Sequence, residues 1–128
     1  MRNAFLMGML GVACLVTPVA ADDLTDAREL YCKKTAQCSL EERPNYQSLS
    51  SDQQGLLYDT VFDLCEAHSA EFEKVLVPLD LTADMITCLN EVASKSCSDI
   101  KEERRANTMS AECKAMRDAW NENKKPAS

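Results

Sequence analysis

Seven cysteines, at positions 14, 32, 38, 65, 88, 97 and 113, constrain this 128-residue chain more than any other feature. The first of them sits in an apolar run, Ala4 to Val16, that carries no charge and follows Arg2. Thr17 and Pro18 end the run, and Val19-Ala20-Ala21 supplies small residues. This is the layout of a secretory signal peptide over residues 1–21, predicted to be cut between Ala21 and Asp22. Cleavage removes Cys14, so the seven cysteines become six, in a remainder (22–128) of 107 residues. An even count in an exported chain of that size predicts a disulfide framework through Cys32, Cys38, Cys65, Cys88, Cys97 and Cys113. Acylation of Cys14 as a bacterial lipoprotein is the rival. Gly11 stands where a lipobox needs a branched apolar residue, and Leu15-Val16 after the cysteine is equally atypical.

The apolar run is shorter than the roughly 20 residues a bilayer span requires. No later segment is apolar enough, so the expected product has no membrane span and is periplasmic or secreted. Losing Arg2 moves the formal charge from −7 to −8, since residues 1–21 contain no acid. The pairs Lys33-Lys34, Arg104-Arg105 and Lys124-Lys125 lie among acids, which argues against nucleic acid as a partner, because phosphate binding needs clustered cations.

Helical periodicity runs through the remainder. Leu24, Ala27, Tyr31 and Thr35 recur at helical spacing, with Leu30 beside them and acids at the favourable N-terminal end, predicting a first helix over 23–37. Residues 39–49 contain Arg43-Pro44 and little periodicity, as a loop does. Ser50 with Gln53, or Ser51 with Gln54, can form a capping box. It opens the strongest seam in the chain: Leu57, Val61, Leu64, Cys65, His68, Phe72, Val75 and Leu76, stopped by Pro78. A third helix, capped by Asp80 or Thr82, presents Met85, Ile86, Leu89, Val92 and Ala93. Ser98 can cap a short charged helix over 99–106, and Met109, Cys113, Met116 and Trp120 stripe a last helix over 109–121. Residues 124–128 form a polar tail. Strand patterning is absent, and Gly55 is the only glycine beyond residue 21. The fold class expected is all-α: a small disulfide-stapled bundle of four to five helices.

Cys32 and Cys38 are six residues apart, about 9 Å of helical rise, and Cys88 and Cys97 about 13 Å; a disulfide needs Cα atoms within about 7 Å. The bridges are therefore expected to join different helices. The simplest hairpin crossing gives Cys32–Cys97, Cys38–Cys88 and Cys65–Cys113, one of 15 connectivities. The Cys88-x8-Cys97 spacing resembles one element of the cysteine pattern of insect odorant-binding proteins. The C-x3-C of that pattern is missing and the C-x8-C is not the last pair, so the spacing assigns no family.

Reduced, Cys65 and His68 could ligate a soft metal with help from Met85, Met109 or Met116; oxidised, they cannot. His68, the single histidine, is expected as an amphipathic side chain at the core edge rather than a base or ligand. Serines fall mostly where helices start, and the adjacent pairs Glu41-Glu42 and Glu102-Glu103 diverge by about 100° on a helix. No catalytic, cofactor-binding or metal site is assigned, and no enzyme is expected. Two functions stay open: a non-catalytic exported module that engages a protein partner or serves at the envelope, and a carrier of a small apolar ligand in a cavity between helices. The Met109, Met116 and Trp120 stripe fits core packing by default and a cavity wall as the alternative, because methionine faces adapt to varied ligands.

Overall fold

A computed structural model describes residues 19–123, with side chains from Asp23 onward. Residues 1–18, Cys14 among them, and residues 124–128 lie outside the described residues. The described chain is all-helical: α1 Val19–Glu41, a 3-10 turn Tyr46–Ser48, α2 Ser51–Leu76, α3 Thr82–Ser94, α4 Cys97–Ala106 and α5 Ala111–Asn123. No helix among the described residues is long and apolar enough to cross a membrane.

The first helix runs further than its periodicity predicts, through Ser39 and Leu40. Leu40 is only 2% exposed and makes α1 worth extending. The expected loop thus shortens to 42–50, and Arg43-Pro44 lies within it. Ser50 caps α2 as anticipated: its hydroxyl accepts from Gln53 N at 3.2 Å, and Gln53 Oε1 accepts from Ser50 N at 3.1 Å. Gln54 forms no capping box with Ser51. It donates to Tyr46 O at 2.9 Å and Leu49 O at 3.4 Å, pinning the preceding turn.

Two caps differ from expectation. Leu81 precedes α3 without any side-chain cap, and Asp80 instead takes φ 61° in the turn after Pro78. An aspartate tolerates that left-handed conformation better than most residues. Ser96 rather than Ser98 caps α4, accepting from Asp99 N at 3.1 Å. That starts the helix at Cys97. Asn107, at φ 57°, closes α4 in the left-handed C-terminal geometry. The last helix begins two residues later than its stripe, with Ser110 Oγ accepting from Cys113 N at 3.3 Å.

α1 and α2 lie antiparallel. Arg28 meets Glu73 while Cys32 meets Cys65, so positions rise on one helix as they fall on the other. α1 also packs on α3, and α3 on α5. The buried cluster joins Leu24 and Ala27 of α1, Leu76 of α2, Met85, Cys88 and Leu89 of α3, and Cys113 and Met116 of α5. α4 contributes no buried residue.

All three bridges join different helices, but not in the order the hairpin crossing gives. They are Cys32–Cys65, Cys38–Cys97 and Cys88–Cys113, with Cα separations of 5.5, 5.3 and 5.0 Å. The expected Cys32–Cys97, Cys38–Cys88 and Cys65–Cys113 pairs fail because the neighbour of α1 at Cys32 is α2, not the 88–97 segment. Cys97 begins a separate helix, so it is free to meet the last turn of α1 while Cys88 faces α5.

Candidate functional site

The helices do not close completely upon one another. Between them lies a cavity of about 570 Å³, lined from all five helices. That volume falls within the range of about 300–1,000 Å³ typical of small-molecule clefts.

One wall is α2, whose Val61, Leu64, Cys65 and Phe72 face inward. The seam was foreseen, but it is a cavity wall more than a core. Only Cys65 and Leu76 on it are buried, and Leu64 is 57% exposed. The opposite wall comes from α3 and α5: Met85, Leu89 and Val92 on one, Met116 and Trp120 on the other, with Met109 just before α5. The Met109, Met116 and Trp120 stripe is therefore both packing surface and cavity lining. Trp120 stacks obliquely on Phe72, ring centroids 4.2 Å apart, bridging the two walls. Methionines and aromatics together make a deformable apolar surface.

Along α1 the helix contacts are made through small side chains. Ala27, Cys32 and Ala36 are the buried positions along the middle of α1, and such residues let helices approach without filling space beyond the contact. Disulfides hold the walls: Cys65, Cys88 and Cys113 all line the cavity, and their bridges fix α2 to α1 and α3 to α5.

Charged groups edge this apolar space. Arg28 Nη1 donates to Glu73 Oε2 at 2.6 Å, and Arg28 Nε lies 2.6 Å from Glu66 Oε2. The second contact is an ion pair without an aligned hydrogen bond, since Nε is shielded and its N–H points elsewhere. The hydrogen bond to Glu73, opposed by desolvation and reinforced by the charges of Glu73 and Glu66, holds the Arg28 guanidinium charged beyond its ordinary range. Lys95 Nζ donates to both oxygens of Glu103, at 2.7 and 2.8 Å. Arg104 and Arg117 complete the cationic set at the lining.

His68 also lines the cavity but is exposed, not half-buried at the core edge as anticipated. Cys65 spends its sulfur on Cys32, so the Cys65–His68 metal pair does not form. Among the described residues no group of three or more histidine, cysteine or acidic side chains gathers around a common point. Two residues escaped the sequence patterns: Ile100 of α4, and Arg28, whose place between two acids from another helix leaves no local signal. No protein family model, curated protein or solved structure matches this chain.

Proposed function

We propose that this protein is an exported, non-catalytic carrier of a small apolar ligand, which it holds in the cavity between its helices. The cavity of about 570 Å³, walled by methionines, leucines, Phe72 and Trp120, is the observation that carries the proposal. Three disulfides support an oxidising compartment. Among the described side chains the core begins at Leu24, so cleavage after Ala21 would leave it whole. An interaction module engaging a protein partner has less in its favour: Leu30, Leu56, Val77 and Leu79 are exposed apolar side chains, and single exposed leucines are ordinary on protein surfaces.

Trp120 is the single tryptophan, so its emission reports on the cavity alone. Titration of the full chain with 1-dodecanol should change that emission saturably, at one ligand per chain. Unchanged emission, with no competition against an environment-sensitive apolar dye such as N-phenyl-1-naphthylamine, overturns the carrier.

A further inference from the structure

We infer that the ligand is a single-chain amphiphile with a carboxylate head, its tail in the apolar cavity and its head on Arg104 and Arg117; this rests on the carrier function proposed above. The chain as a whole carries −7, yet the cavity lining holds four cations, Arg28, Lys95, Arg104 and Arg117, against two acids, Glu73 and Glu103. Both acids are already used. Glu73 is bound to Arg28 and Glu103 to Lys95, and Glu66 adds a second anion to Arg28.

That leaves two guanidiniums. Arg104 makes no hydrogen bond or ion pair with any described residue, although it borders the cavity. A cation in the last turn of a helix is favoured by the carbonyl end of the helix dipole, but that does not choose its direction. Arg105, in the same turn, faces outward to Glu102 at 2.7 Å, so the turn presents one paired cation and one unpaired. Arg117 donates through Nη1 to the side-chain carbonyl of Asn107 at 2.9 Å, a neutral acceptor. Its other contact, Asp118 at 3.4 Å, joins surface neighbours in sequence, and such exposed pairs contribute little.

Asn107 ends α4 three residues beyond Arg104, so its bond to Arg117 ties both arginines to the corner between α4 and α5. A guanidinium offers a planar pair of donors that match a carboxylate. Volume selects one chain. A methylene occupies about the space of a water molecule, about 30 Å³, so twelve carbons need about 360 Å³ and two sixteen-carbon chains about 960 Å³. The first fits 570 Å³ with room for a head, and the second does not.

The test titrates the full chain with laurate, 1-dodecanol and dodecyltrimethylammonium below their micellar concentrations, following Trp120 emission. Laurate should bind about tenfold more tightly than dodecanol, as expected for one charge-assisted bond, and the cationic amphiphile more weakly than either. Arg104→Gln with Arg117→Gln should remove the preference for laurate over dodecanol while dodecanol still binds, which also shows that the variant folds. Arg104→Gln alone, at an exposed site without partners, should give part of that loss, and Arg105→Gln none. Dodecanol binding with no preference for laurate, or a preference that survives the double substitution, overturns the head-group site and leaves the carrier standing. If no amphiphile binds, the carrier function falls and the head-group site falls with it.

Discussion

Leu64 and Leu76 lie on one predicted seam, yet truncating them should have very different effects. Leu76 has no exposed surface, and Leu64 is 57% exposed. Leu→Ala removes about three carbons, worth about 0.8 kcal/mol each when fully buried, or about 2.4 kcal/mol. At Leu76 the void left behind adds to this, and the expected loss is about 3–5 kcal/mol. At Leu64 about two-fifths of the transfer term survives, about 1 kcal/mol, with no sealed void because solvent reaches the site. Alanine's better helix propensity recovers a few tenths. Urea unfolding followed by far-UV circular dichroism, with the disulfides intact, should therefore separate the two variants by at least about 2 kcal/mol. Equal losses, or a larger loss at Leu64, would refute the assignment of this face of α2 to a cavity wall. Leu64→Ala should also weaken dodecanol binding, whereas Leu76, which does not line the cavity, acts on stability alone.

Proteolysis of the unreduced chain should yield the cross-linked pairs Cys32–Cys65, Cys38–Cys97 and Cys88–Cys113; a Cys32–Cys97 peptide would contradict the helix arrangement. Ser50→Ala removes one half of the capping box and should cost about 1 kcal/mol by the same urea assay. Arg28→Met leaves Glu66 and Glu73, seven residues apart on α2, without their cation, and a loss of about 1–3 kcal/mol is expected at neutral pH. Hydrogen bonding and charge from Glu29 raise the pKa of Lys33, so that pair's contribution should be fully present below the unfolded lysine pKa and fade as pH rises through the folded value; a Glu29→Gln variant should lose the alkaline dependence.

Periodicity made α1, α2, α3 and α5 legible because each presents an apolar stripe to the others, and Ser50 marked a start that local chemistry alone decides. What sequence left hidden has a common physical cause: it depends on which helix lies beside which. The bridge partners are one case, since cysteine spacing limits self-closure but does not choose among distant partners. Leu40 is another, because an isolated leucine before a charged loop acquires its meaning only from the core it reaches. Leu64, His68 and Phe72 show the same limit from the opposite side. A continuous seam of apolar residues signals a surface facing inward, but whether it meets side chains or open space depends on the volume of residues on the facing helices. Here the facing side chains, Met85, Leu89, Val92 and Met116 among them, leave open space.

The staples and the cavity belong to one solution. A domain of this length has little apolar burial to spare, and keeping an open space among the helices gives some of it up. The three bridges close segments with sequence separations of 33, 59 and 25. Loop closures of that size restrict the unfolded chain by about 3–5 kcal/mol each in the chain-entropy account. They stabilise the fold without filling its interior. Their placement sharpens the point, because two of them, Cys32–Cys65 and Cys88–Cys113, border the cavity and clamp opposite walls, while Cys38–Cys97 fastens the start of α4, which has no buried side chain of its own. With the cavity kept, α4 needs an anchor to hold its Ile100 and Arg104 at the lining, and Cys97 supplies it at the first residue of the helix. Replacing Cys38 and Cys97 together by serine should therefore loosen α4 first, seen as faster amide hydrogen exchange over 97–106 than over α1 and α3. Uniform acceleration across all helices would show instead that α4 is integral to the core and that the cavity does not depend on this bridge.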